Sequence, residues 1–322
     1  MNRSSKIGSG FLVAVLLAGS YTFSVLNPGG GGGTQQPVSD SSTPAVYVPR
    51  VSPTPTTTSS SNSKETSPAT PGTRAFIFIN NSSETIWVGA LNNPGSELPN
   101  HGGWAMTAGA TTTLNLPTGW QGRFWGRTGC TFDSAGNGAC DTGDCGHRLQ
   151  CNGAGGVPPT TLAEFTLDAQ SIGGIDIYDV SLVDGYNIPT TIHTSNTTPA
   201  NADPYTCAET GCMFDINANC PAELQVKNAS GKVVACNSAC NAFNTDQYCC
   251  RGAYNSPQTC KAENWPVNYD KVFKKVCKES YSYAYDDGTS TYHCKDCSYT
   301  ITFGMGNTAK SPPRTPSMRG LS

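Results

Sequence analysis

All fifteen cysteines lie between Cys130 and Cys297, and sulfur is the chemistry this chain offers first. Thiolates bind soft metals and attack electrophiles; oxidised, they become cross-links. Cys294-Lys295-Asp296-Cys297 has the two-residue spacing of half a zinc site. The four histidines, His101, His147, His193 and His293, stand in no ligand spacing, so no metal and no cofactor are expected. A disulfide framework fits better in a chain this rich in cysteine, glycine and proline. Fifteen is odd, so one thiol stays unpaired or pairs with a second chain. Carboxylates are the second resource. Residues 174–185 (GIDIYDVSLVDG) carry Asp176, Asp179 and Asp184. Two carboxyl groups held close in a water-poor cleft push their pKa values apart, which yields one acid and one base. Glycoside hydrolysis uses such a pair. The same groups can simply accept hydrogen bonds from sugar hydroxyls. Asp176 and Asp179 have opposite strand parity, so at most one serves a given face; the bland alternative makes them strand-end and turn residues. There is no Gly-x-Ser-x-Gly elbow and no catalytic-cysteine signature, which leaves serine and cysteine acyl transfer without a motif.

The elements that must hold these groups read as strands. RAFIFIN (74–80), TIWVGAL (85–91), TTTLNL (111–116), RFWGRT (123–128), EFTL (164–167), GIDIYDVSL (174–182) and YTITF (299–303) are short and are separated by Gly, Pro, Asn and Asp. That spacing predicts an all-β sandwich or flattened barrel whose last strand closes the sheet system of the first. From Cys207 to Cys297 the chain holds 11 of the 15 cysteines, and a segment that dense reads as a lobe stapled by disulfides. Tyr269, Val272, Phe273, Val276 and Cys277 recur at helical spacing within 268–277, and a second short helix is expected over 238–244. Lys271, Lys274 and Lys278, with Lys275 beside them, would form a solvated face of the first helix.

The termini and the charge narrow the function. Residues 1–26 begin with Arg3 and Lys6, continue through an apolar stretch, and read as a signal peptide or, uncleaved, as a signal anchor. Residues 27–73 are glycine-rich, then have Ser, Thr or Pro at 25 of the 40 positions from 34 to 73. Such a segment cannot bury enough apolar surface to order itself and reads as a disordered stalk, O-glycosylated or plain. The tail, 305–322, carries three bases and is read as disordered. Residues 74–304 carry a net charge of −8. An acidic body repels phosphate backbones, so nucleic acid is excluded as a partner. Asn80, Asn81, Asn196 and Asn228 begin Asn-x-Ser/Thr sequons, consistent with a secreted glycoprotein.

The segment GNGACDTGDCGHRLQC (136–151) closely resembles the signature of thaumatin-like proteins, the osmotin and zeamatin family of pathogenesis-related proteins. The resemblance continues through PPTTLAEF (158–165), IDIYDVSLVDGYNIP (175–189), CPAEL (220–224), QYCC (247–250) and VFKKVCKESYSY (272–283), and so covers 74–304. It implies a β core with a disulfide-rich lobe, and seven bridges: Cys130–Cys140, Cys145–Cys151, Cys207–Cys294, Cys212–Cys277, Cys220–Cys236, Cys240–Cys249 and Cys250–Cys260. An eighth bridge of the family is missing, with Ser82 and Gly304 at its two positions. Cys297 is then the free thiol and a possible link in a dimer, although it stands close enough to Cys294 to compete for Cys207. His147 departs from the family's glycine. The resemblance also implies a cleft between core and lobe lined by Arg123, Glu164, Asp179, Asp184 and Asp287, with Asp286 as an alternative to the last. Glu164 would be the general acid and Asp179, or Asp184, the base or nucleophile. Tyr186 is the preferred aromatic for stacking on a sugar ring, with Trp125 behind it. The function implied is a secreted, wall-associated, antifungal defence protein that binds β-1,3-glucan in the apoplast without an obligate protein partner. The alternatives are a weak endo-β-1,3-glucanase using the same carboxylates and an inhibitor of a foreign carbohydrase; an intact set of cleft acids counts against the second of these.

Overall fold

The computed structural model describes residues 72–196, 199 and 202–306. The segment read as a signal peptide, all but the last two residues of the stalk and all but the first two of the tail lie outside the described residues.

Period-two alternation builds the core. In β1 (Thr73–Asn80) the side chains of Phe76 and Phe78 are fully buried while Ile77 and Ile79 are only half-buried. The chain continues through β2 (Ile86–Asn92), β3 (Gly103–Met106), β4 (Thr111–Pro117) and β5 (Gln121–Arg127). A small ribbon, β6 (Thr131–Phe132) with β7 (Gly138–Ala139), precedes β8 (Leu162–Ala169) and β9 (Ile175–Ser181). β10 (Thr190–Thr194) and β11 (Thr210–Cys212) lead into the cysteine-rich segment, which contains the ribbon β12 (Gln225–Lys227) and β13 (Val233–Cys236). The chain returns through β14 (Tyr292–Cys294) and β15 (Tyr299–Phe303). One sheet has the order β11-β10-β15-β1-β4 and the other β14-β9-β8-β5-β2-β3. As expected, the last strand closes on the first: β15 runs parallel to β1, with Phe78 opposite Ile301. Between the sheets lie Phe76, Phe78, Phe124, Phe165, Tyr178, Tyr299 and Phe303. Edge-to-face pairs such as Phe76–Phe165, with centroids 4.8 Å apart, and Phe78–Phe124, at 4.9 Å, set their packing.

Strand parity sorts the acids. Asp176 points inward with Tyr178 and is fully buried. There it accepts from the Arg74 guanidinium at 3.1 Å, the Tyr299 hydroxyl at 3.0 Å and the Asp168 amide at 2.8 Å, so it is a structural acid.

A second apolar cluster, with Leu182, Tyr186, Ile216, Leu224 and Phe273 beside Cys212, Cys220, Cys236 and Cys277, forms the lobe. The expected helices are present but shorter. α1 (Ala239–Phe243) is capped by the Ser238 hydroxyl, which accepts from the Asn241 amide. α2 (Asp270–Lys274) is a single turn, so the expected run over 268–277 and the continuous lysine face do not form. Lys274 is not solvated: its ammonium lies 2.8 Å from Asp286 and donates to the Ser280 carbonyl and the Ser290 hydroxyl. α3 (Asp287–Ser290) is too short to leave a sequence signal.

All seven expected disulfides are present. Cys297 requires a correction. It is no surface link for a dimer, because it is fully buried in the core with its sulfur against that of Cys294. Among the sequons, Asn80 is fully buried and donates from its amide to the carbonyls of Glu84 and Met106, whereas Asn81 is exposed. His147 sits at φ 58, in the left-handed region where a glycine is unstrained.

Ser82 and Gly304 are neighbours. A Cβ built on Gly304 would lie 2.7 Å from the Ser82 Cβ, closer than the ~3.5–4.5 Å of a relaxed disulfide, and Gly304 has φ +84. Ser82→Cys with Gly304→Cys is therefore expected to cross-link, but with part of the usual ~2–4 kcal/mol offset by the ~1–2 kcal/mol of a left-handed side-chain residue. Calorimetry of the cross-linked protein should show a melting temperature raised by only about 2–6 °C. Mass spectrometry that finds no bond would break the assignment of these two positions.

Candidate functional site

Three of the expected residues form a row. Antiparallel pairing puts Arg123 of β5 opposite Glu164 of β8, and Glu164 opposite Asp179 of β9. Their neighbours Phe124, Phe165 and Tyr178 enter the core, so the row lies on the outer face of the sheet. The Arg123 guanidinium is 3.8 Å from the Glu164 carboxylate, and both side chains are about one-sixth exposed, at 15% and 17%.

The remaining two acids arrive from turns. After β9 the chain reverses at 182–185, where the Gly185 amide donates to the Leu182 carbonyl at 2.9 Å. Gly185 has φ +87, and a Cβ there would lie 2.7 Å from both the Cys236 carbonyl and Pro159, so only glycine lets the chain turn this close to the lobe. Asp184 is fixed in that turn by its carbonyl, which accepts from the Thr160 amide and the Asn241 side chain. Asp287 comes from the lobe. Tyr281 docks beside the end of β9, its amide donating to the Val180 carbonyl and its carbonyl accepting from the Leu182 amide. The Tyr281 hydroxyl then donates to Asp287 at 2.9 Å. Asp286 has a different role: Ser282, Thr289 and Lys274 hold its carboxylate, so Asp287 is the acid that faces the row.

Crowding and loss of water raise the carboxyl pKa values. Glu164 is pushed up to about 7, chiefly by burial; Arg123 opposes the rise, Asp184 adds to it and the Ser181 side chain offsets part of it. Asp179 is raised well above the ordinary carboxylate range by burial, then by the charges of Glu164 and Asp287. Asp184 is raised by burial against the pull of Arg123. Asp179 Oδ1 is buried without a hydrogen-bond partner among the described residues. The Tyr281 hydroxyl is held against ionisation by burial and the neighbouring Asp179. The site is therefore a row of carboxyl groups with raised pKa values beside one guanidinium, suited to hydroxyl-rich ligands and to proton transfer.

Two aromatic expectations are overturned. Tyr186 is fully buried: its backbone pairs in both directions with Cys236, and its hydroxyl donates to the Phe214 carbonyl at 2.8 Å. It anchors the lobe and cannot stack on a sugar. Trp125 is also fully buried and donates its ring N–H to the Gly143 carbonyl. Sequence reasoning missed Ser181 and Tyr281, which support Glu164 and Asp287; the parallel bridge between Ser181 and Tyr281 joins segments with no shared pattern.

The model of the Thaumatin family matches residues 80–305, which include the row, both turns and the lobe. The chain belongs to the thaumatin family. Among relatives of this thaumatin-family protein, "Pathogenesis-related protein 5" of Arabidopsis thaliana is 53% identical over 228 residues, 71% of this chain and 89% of the relative. "Pathogenesis-related thaumatin-like protein 3.5" of Cryptomeria japonica is 48% identical over 232 residues, 72% and 90% of the two chains. A Prunus avium relative named "Glucan endo-1,3-beta-glucosidase" is 43% identical over 228 residues, 70% and 88% of the two. The thaumatin-family match stops short of the stalk and begins inside β1.

Proposed function

We propose that this protein is a secreted, wall-associated defence protein that binds β-1,3-glucan along the row Arg123–Glu164–Asp179, with Asp184 and Asp287 beside it. The carrying observation is the unpartnered, buried Asp179 Oδ1 at the end of that row. A buried polar atom without a partner costs about 1–3 kcal/mol, and a sugar hydroxyl placed there would recover it. The Prunus avium relative's glucan name supports this ligand class, and the Arabidopsis relative's pathogenesis-related name supports the defence role. The signal segment and the Ser/Thr/Pro-rich stalk give the route outward and a spacer that would hold the domain in a wall.

Hydrolysis is the second reading, favoured by the raised Glu164 and Asp179. On this reading the roles differ from those that the resemblance implies. Arg123 offsets part of the rise at Glu164, while Asp179 is raised by burial and by two neighbouring carboxylates with no cation to oppose it. Asp179 would then be the acid and Glu164 the base or nucleophile. Against hydrolysis, the two stand side by side on one sheet face, whereas bond cleavage calls for groups that flank the scissile bond. Nothing among the described residues favours the inhibitor reading.

The test is a pull-down on insoluble linear β-1,3-glucan with cellulose as control, and chromatography of the soluble products. Specific retention is expected for the wild type, weakened about tenfold to a hundredfold in Asp179→Asn. No retention of the wild type would remove the binding reading, and equal specific retention of both proteins would take the site away from Asp179. Oligosaccharides that disappear with Glu164→Gln would promote the chain to an enzyme.

A further inference from the structure

Cys207, Cys294 and Cys297 bring three sulfurs within 4.8 Å of one another. Cys294 is in bonding contact with each of the other two, and the Cys207 and Cys297 sulfurs are 3.7 Å apart. A divalent sulfur forms one disulfide, so three cysteines in one pocket hold one bond and one thiol. The two ends of the trio differ. Cys297 is fully buried against the aromatic core, whereas Cys207 is half-buried at φ 50 in the segment that enters β11. They differ in reach as well: a Cys207–Cys294 bond spans 87 positions and a Cys294–Cys297 bond spans three.

We propose that this cluster is an internal thiol–disulfide exchange site that delivers a modifiable thiol at Cys207. The Cys297 thiolate attacks the Cys294 sulfur; the Cys294–Cys297 bond forms as the Cys207–Cys294 bond breaks. The electron pair leaves on the Cys207 sulfur, which takes up the proton that Cys297 gave. Nothing is oxidised or reduced overall, so the step needs no outside reagent. In one isomer the thiol is sealed in the core. In the other it stands at Cys207, where soft electrophiles and small disulfides can reach it. A small disulfide would be attacked by the Cys207 thiolate, leaving a mixed disulfide on Cys207 and releasing the other half as a thiol. The long tether is lost in that isomer, because the remaining bond closes a loop too short to restrain the unfolded chain.

The full chain, purified without reductant, would be treated under native conditions with N-ethylmaleimide. It would then be quenched in acid and mapped by non-reducing tryptic digestion. Lys295 stands between Cys294 and Cys297, so cleavage after it places them on separate peptides. The expected result is that the whole population drains into one product, with Cys207 alkylated and Cys294 bonded to Cys297, and that its melting temperature is several degrees lower. In Cys297→Ser, which has no attacking sulfur, alkylation of Cys207 should be at least ten times slower. Cys207→Ser should fold with the Cys294–Cys297 bond and no reactive thiol in the cluster. Alkylation at Cys297 with Cys207–Cys294 intact, labelling that halts at the fraction already free, or an unlabelled wild type would each overturn the proposal.

Discussion

Arg127→Met is expected to cost about 3–5 kcal/mol of folding free energy, the size of effect seen when a buried charge site loses one side of its pairing. Arg127 is fully buried in β5. Its guanidinium donates to the carbonyls of Trp87, Val88, Arg148 and Leu149 and to the Cys145 sulfur, and it lies 5.6 Å from the centre of the Phe132 ring. Burial lowers its pKa to about 10, with Asp144 opposing, so the group stays charged at neutral pH. Carbonyl dipoles from β2 and from the 148–149 segment take the place of a counterion. A methionine of similar length would fill the space and leave those acceptors unpaired, each at about 1–3 kcal/mol before relaxation. With a stability of ~5–15 kcal/mol for a domain, the loss should lower the melting temperature by about 6–20 °C, or prevent folding of the 128–151 segment altogether. Arg127→Lys separates charge from geometry: an ammonium cannot span all five acceptors, so an intermediate loss is expected. Calorimetry on the oxidised proteins decides. A melting temperature within about 2 °C of wild type for Arg127→Met would mean that these hydrogen bonds add nothing to folding.

The second large effect is a pH dependence carried by Glu164. Its carboxyl rises from 4.5 to about 7 on folding because the cleft withholds water. A folded-state pKa above the unfolded one means that the folded chain binds the extra proton. The stabilisation is therefore complete below pH 4.5 and is lost as pH rises through 7. At about 1.36 kcal/mol per pH step, this one group removes roughly 3 kcal/mol across that window. Asp179 acts in the same direction. Asp133 and Asp203, whose carboxyls are lowered from 3.8, act below that value and leave the window untouched. Urea titrations from pH 4.5 to 8 should show the wild type losing stability while Glu164→Gln loses markedly less, and the variant should be the more stable protein at pH 8. Parallel curves would mean that Glu164 ionises freely in the folded state.

The two effects arise on paired strands, β5 and β8, and the pattern of β5 alone does not separate cleft from core. In RFWGR, Arg123, Trp125 and Arg127 share one face by parity. Nothing in that pattern says that Arg123 reaches the cleft while Trp125 and Arg127 are sealed under the 142–156 segment. The same limit explains Tyr186, which reads as a turn aromatic after Asp184 but is pinned inward by its pairing with Cys236. It explains α2 as well, where apolar positions at helical spacing are satisfied by one helical turn and the Cys212–Cys277 bond. Cys297 was ambiguous because connectivity depends on which sulfurs meet, and spacing along the chain does not decide that.

The order of residues determined by itself the short strands, the placing of Asp176 and Asp179 on opposite strand faces, and a cysteine-dense lobe outside the β core. These follow from local rules: side chains alternate along a strand, and turns gather Gly, Pro, Asn and Asp. Through the resemblance, the seven bridges and the five charged residues were also legible. Only the tertiary structure decided that Arg123, Glu164 and Asp179 are neighbours in one row, that Asp287 rather than Asp286 meets them, and that three sulfurs share one pocket. Adjacency between distant segments is a property of strand pairing. The raised carboxyl pKa values are a property of the water that packing removes, and neither is written in any single stretch of chain.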